Sequence, residues 1–207
     1  MDTLKPRLPW LLALAVFFAG CAQQTEIIKL YDDTANSDLR YQRIFVVGIA
    51  GDAQTRQLLE DSIAEQLRSA GAIAIAGHTE TGPETTLLQD DIDEAARRSA
   101  ADAILVTHIV SVDTSADIEE GRVDMVAECR GGDPADYFLY DYEELKEPDT
   151  VRLAHTVVAV TNLYDAGESK RIWTIQSTCF EKATMNEVLL EEAKAIARQL
   201  KIDKLIG

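Results

Sequence analysis

The chain has 207 residues, 46% of them apolar, and a formal net charge of −16 at pH 7. That charge argues against nucleic acid and anionic lipid surfaces as partners, since both are polyanions, and it suits solubility and a basic partner equally. Three cysteines without a CxxC pair or Cys/His ligand spacing argue against a structural zinc site, and no internal repeat or low-complexity tract is present.

Lys5 and Arg7 form a short basic start, followed by eleven apolar or small residues from Trp10 to Gly20 and then Cys21. A basic start, a short apolar run and small residues before a cut site describe an export signal. The run is too short to span a bilayer, which takes about 20 residues. Phe18-Ala19-Gly20-Cys21 resembles the lipobox of bacterial lipoproteins, which implies that residues 1–20 are removed and that Cys21 is lipidated. Residues 1–20 carry Asp2, Lys5 and Arg7, a net of +1, leaving −17 on the rest. Ala22 after the cysteine resembles the outer-membrane sorting class, which implies anchoring to the outer membrane facing the periplasm. With so acidic a chain, lipid must provide the hold, and two or more acyl chains anchor stably where one does not.

Residues 22–42 are polar and weakly periodic and read as a flexible tether, so 43–207 form one domain of ordinary size. Arg43–Gly48 is an apolar, β-branched run expected to be a buried strand. Asp52 caps a helix over about 53–70, with Leu59, Ile63, Leu67 and Ala70 on one stripe and Gly71 as its stop. Ala72–Ala76 is the second strand, Asp91–Ala101 a short helix, and Ala103–Val112 the strongest strand. Residues 113–150 read as an acidic, turn-rich insertion with an edge strand at 122–129. Val151–Tyr164 and Arg171–Phe180 are a long hairpin. Thr184 with Glu187 is a capping box opening a last helix whose stripe is Leu189, Ala193, Ile196 and Leu200.

The predicted fold class is therefore α/β (α+β). A mixed sheet is packed by two long helices and one short helix in the order β-α-β-α-β-(insertion 113–150)-β-β-α. RIFVVG, the helix end LRSAG, AADAILVTHIV and Leu163–Trp173 carry a resemblance to the small α/β domains of the curli-secretion lipoprotein, the penicillin-binding-protein activator lipoprotein and the N-terminal domain of the Tol translocation protein. The resemblance implies a periplasmic interaction module, a non-enzymatic binding or assembly factor for an envelope protein, without a cofactor. Residues 113–150 depart from the curli lipoprotein in lacking sustained in–out alternation over barrel-strand lengths. Two other classes stay open: an envelope hydrolase with a site built from separate loops, and a small-ligand sensor.

Several constellations have a plain structural explanation. Gly48-Ile-Ala-Gly51-Asp52 lies where a phosphate loop would, but it lacks the GxGxxG and GK[ST] patterns and carries an acid, so it reads as a turn and cap. His108 and His155 lie on apolar strand faces and read as core histidines before metal ligands. His78, with Glu80 and Glu84 nearby, is too sparse for a site. Asp90–Glu94 sits at a helix start, where the dipole favours acids, and does not match a calcium loop. GxSxG, HExxH and SxxK are absent from the sequence. Cys129 and Cys179 can pair, since an exported chain meets an oxidising compartment. Tyr137, Phe138, Tyr140 and Tyr142 crowd into six positions beside acids; they are either a partner-binding patch or a satellite core.

Overall fold

The computed structural model describes residues 25–33, 39–82, 88–129, 140–146 and 148–207, with the backbone alone for 123–129 and 140–146. The elements are β1 (Glu26–Asp32), β2 (Arg43–Ile49), α1 (Ala53–Ser69), β3 (Ile73–Ala76), α2 (His78–Thr81), α3 (Gln89–Arg98), β4 (Ala103–Glu119), β5 (Val123–Cys129), β6 (Tyr140–Lys146), β7 (Thr150–Asp165), β8 (Lys170–Lys182) and α4 (Met185–Ile202). Six strands form a mixed sheet in the order β1-β8-β7-β4-β2-β3, and β5 and β6 form a separate antiparallel pair. β2 runs parallel to β3 and β4, while β4, β7, β8 and β1 pair antiparallel. The mixed sheet and its two long helices match the predicted class.

Local chemistry sets the helix ends. Asp52 accepts a hydrogen bond from the Thr55 amide at 2.8 Å and opens α1, and Gly71 takes φ +101° just past its end. Thr184 Oγ1 accepts from the Glu187 amide at 3.2 Å, and Glu187 reaches back to the Ala183 amide at 3.1 Å. Both long helices lay their apolar stripes on the same face of the sheet. Leu59, Ile63 and Leu67 of α1 and Leu189, Ile196 and Leu200 of α4 meet Val46, Leu105, Leu163, Trp173 and Ile175 in the main core. α3 covers part of the other face, over Phe45, Val47 and Ile104. Trp173, wholly buried, donates its Nε1–H to Asp203 at 2.7 Å, which ties the end of α4 to the sheet.

Two expectations are corrected. Residues 26–32 are not tether but the edge strand β1, paired with Thr178 to Trp173 of β8 and bulged between Lys29 and Tyr31. The signal was faint because an edge strand needs few inward side chains, and here Ile27 alone packs against the main core. The other correction concerns residues 113–119. They do not begin an insertion but continue β4, which pairs with β7 without a break from Ser111 opposite Val158 to Glu119 opposite Thr150. The short helix begins at Gln89, slightly before the expected Asp91, with Asp90 and Asp91 in its first turn. α2, a single turn, was not anticipated.

Candidate functional site

The sheet's strands differ in length, and the difference builds the candidate site. β2 stops at Ile49, opposite His108, and β8 stops at Lys182, opposite His155. β4 and β7 go on. α1 and α4 start from this same end, after β2 and β8 respectively, and run back along the sheet. The β4–β7 arm, about 112–119 paired with 150–157, therefore continues past both helices: β8 flanks it as far as His155, and 115–119 paired with 150–154 stand as two strands alone.

The arm has two distinct faces. Side chains alternate across a strand, and directly opposed residues share a face. Val112 stands opposite Val157, Thr114 opposite His155, Ala116 opposite Leu153 and Ile118 opposite Val151. Val157 is buried with Val188 of α4, so this row continues the helix-covered side of the sheet into solvent. Its apolar members are exposed: Val112 by 45%, Ile118 by 68%, Val151 by 62% and Leu153 by 48%. Thr114 Oγ1 and His155 Nδ1 lie 3.0 Å apart in the middle of the row. The intervening positions, Ser111, Asp113, Ser115, Asp117 and Glu119, form a polar, acidic face, where Arg152 meets Glu119 at 3.1 Å. An isolated two-stranded ribbon is marginal in water, and exposed apolar side chains concentrated on one face mark a binding surface. Covering each of the four would contribute roughly 1–2 kcal/mol.

A buried polar cluster lies under the first turns of α1. Glu60 is completely buried and Arg56 is 1% exposed, and they pair at 2.9 Å. Glu60 also accepts the Gly48 amide at 2.9 Å, the His78 amide at 2.5 Å and His78 Nδ1 at 2.9 Å. Arg56 further donates to Thr81 Oγ1 at 2.8 Å. Each Glu60 oxygen thus has two partners, and the cluster fastens α2 to α1 and β2. Gly77 belongs to it sterically, since a Cβ there would lie 2.7 Å from the Val46 carbonyl oxygen. With both Glu60 oxygens occupied by the protein's own donors, the arrangement is a brace rather than a reaction centre.

Glu192 is the other buried acid. It is 1% exposed, on the sheet-facing side of α4. One oxygen accepts from Ser177 Oγ, while Oε2 has no partner among the described residues. Burial pushes its carboxyl up to about 7, against the lowering effect of the serine bond. A cavity of about 240 Å³ lies beside α3, lined by Gln89, Ile92, Asp93, Ile104, Val106, Tyr164 and Ser169. Asp93 and Tyr164 are its two titratable residues. Among the described residues no cluster of three His, Cys, Asp or Glu side chains could hold a metal ion, and no helix is long and apolar enough to cross a membrane.

The sequence-predicted site residues fall as follows. Cys21, Tyr137 and Phe138 lie outside the described residues. Tyr140 and Tyr142 fall in β6, paired along the backbone with Cys129 and Ala127, and their side chains and that of Cys129 lie outside the described residues. Cys179 is buried, has no disulfide partner among the described residues, and burial pushes its thiol up. His108 pairs with Val160 and His155 with Thr114, so the two histidines sit well apart along the ladder. His78, too sparse for a site with Glu80 and Glu84 in the sequence reading, belongs to the Glu60 cluster. Two features were missed although their signals were present. Arg56 and Glu60 stand at i, i+4 on the inward side of α1, and residues 112–119, VDTSADIE, alternate apolar or small with polar along the whole arm strand.

No protein-family model and no curated protein matches the chain. Among solved structures it is similar to a PelC dodecamer from Paraburkholderia phytofirmans, at 13% identity and TM-score 0.45, over 89% of this chain and 99% of that one. It is similar to the lipoprotein GNA1162 from Neisseria meningitidis, at 15% identity and TM-score 0.40, over 78% and 99%. It is also similar to a PDZ domain protein from Parabacteroides distasonis, at 8% identity and TM-score 0.37, over 84% of this chain and 34% of that one. At these identities the likeness is one of chain path alone.

Proposed function

We propose that this chain is a lipid-anchored protein of the bacterial envelope, held at the outer membrane through Cys21, that acts by binding another envelope protein rather than by chemistry. The observation that carries the binding reading is the arm: four exposed aliphatic side chains on one face of a ribbon that extends past the helices. The buried charges favour it too, because Arg56 and Glu60 are spent on each other and on the backbone. The acidic chain favours a basic partner. The aromatic group Tyr137, Phe138, Tyr140 and Tyr142 is a second proposed contact for the same partner, because aromatic side chains supply contact area at low entropic cost.

A photo-crosslinking residue placed at Ile118 or Leu153, in cells that make the protein, tests the reading. The control is Leu190, an exposed leucine on α4. Discrete adducts from the arm positions and none from Leu190 are expected. Adducts from Leu190 alone would move the surface to the helices and defeat the proposal. For the aromatic group, Tyr140→Ser with Tyr142→Ser should abolish those adducts while leaving the melting temperature in place. A loss of stability together with the adducts would make the tyrosines core residues instead.

A further inference from the structure

Past His108, one side of β4 has no neighbour among the described residues: β2 has ended, and β7 occupies the other side. A bulge between Ile109 and Ser111 resets the pleat, and from there the pairing with β7 is regular to Glu119. Nine consecutive residues, Ser111–Glu119, thus present a strand edge unpaired among the described residues, about 30 Å long. Proteins usually guard such an edge with charged side chains, Lys above all, with Pro or with a bulge along its length. Ser111–Glu119 contains neither Lys nor Arg nor Pro, the bulge precedes it, and its charges are the acids Asp113, Asp117 and Glu119, which guard the edge against acidic strands and leave it open to a basic one.

We infer that the free edge of β4 from Ser111 to Glu119 takes an extended segment of a partner protein whose side chains alternate apolar and basic. This rests on the binding reading above and names the partner's chemistry. An added strand places its side chains alternately on the two faces already present. On one face they meet Val112, Ala116 and Ile118, and on the other Asp113 and Asp117. Glu119 is engaged by Arg152, whereas Asp113 and Asp117 have no cationic partner among the described residues. Apolar side chains on the first face and Lys or Arg on the second satisfy both rows. A second copy of this chain fits poorly. Two β4 edges would bring acid against acid, which is destabilising across a ladder, and each copy carries −16. The edge strand β3 is only four residues long, and β1 brings Glu26 and Asp32 with its single Lys29.

The test uses the full mature lipoprotein in detergent and three nine-residue peptides, each below its own aggregation limit. One alternates Val and Lys, one alternates Val and Glu, and one has the Val/Lys composition with the alternation scrambled. Titration calorimetry gives affinity, and hydrogen exchange gives the location. The alternating Val/Lys peptide should bind and slow exchange of the 111–119 amides. The Val/Glu peptide should not bind. The scrambled peptide should bind at least about tenfold more weakly, and Asp113→Asn with Asp117→Asn should weaken the Val/Lys peptide by about tenfold. Both acids are exposed, so the double variant should keep the parent melting temperature. Equal binding of the scrambled peptide would reduce the effect to charge alone and overturn the inference. Protection confined to β1 or β3 would overturn it in favour of another edge. Protection of 111–119 that rises with protein concentration and needs no peptide would overturn it in favour of a second copy. If no peptide protects these amides while Ile118 still crosslinks in cells, strand addition fails and the binding reading stands.

Discussion

Glu192 sits where a carboxylate is costly, and the cost has a pH signature. Its pKa is about 7 in the fold and near the usual carboxylate value, roughly 4.3, in the unfolded chain. Below both values the group is neutral in both states and costs nothing. Between them the unfolded state ionises first, so stability falls as pH rises, and above about 7 the full penalty stands, on the order of 3 kcal/mol. Glu192→Gln should therefore flatten the fall in urea-unfolding free energy between pH 5 and 7.5. An unchanged slope would mean that Glu192 is not the group responsible. The Glu60 brace makes the opposite kind of statement. Its acid is fully satisfied, so Glu60→Gln should destabilise by about 3 kcal/mol, since it leaves Arg56 buried without its counter-charge. Gly77→Ala should cost roughly 1–3 kcal/mol through the clash with the Val46 carbonyl. Thermal melts of both variants check these values.

At the scale of elements, the capping residues do what their chemistry suggests. Thr184→Ala should lower stability by about 1 kcal/mol in the same melts, through the lost bond to the Glu187 amide. Such signals were legible in the sequence because they are local. Asp52, Gly71 and Thr184 mark helix ends by rules that span a few residues, and Leu59–Ile63–Leu67 gives a helical stripe without reference to the rest of the fold. What depends on distant partners was not legible. Ile27 becomes an edge-strand residue because β8 is there to receive it. Glu60 becomes a brace because Gly48, Arg56 and His78 converge on it from three elements. The arm was a different kind of miss. Its alternation is visible in VDTSADIE, but acids and small residues in the polar positions made it look like loop, and the pairing with 150–158 is what makes it strand.

The molecule as a whole, with the proposed lipid at Cys21, has an anchor at one end of the chain and a binding arm in the middle. Cys21→Ser should abolish fatty-acid labelling and leave a precursor of unprocessed size; labelling that persists at mature size would remove the anchor from the account. A bridge between Cys129 and Cys179 remains a proposal. If it forms, non-reducing alkylation of the exported protein should find neither thiol free, whereas finding both free would dismiss it. Beyond the Val112–Val157 pair the arm has no helix packed on its apolar row among the described residues, so in purified protein its amides at 111–119 and 151–155 should exchange far faster than those of β2. The central claim is that this surface is occupied in the cell, and hydrogen exchange of the arm in native membranes, compared with the same protein purified in detergent, tests it most directly. Strong protection of 111–119 in membranes that is lost on purification, with β2 unchanged, is the expected result; equal exchange of the arm in both preparations would show the surface to be unoccupied.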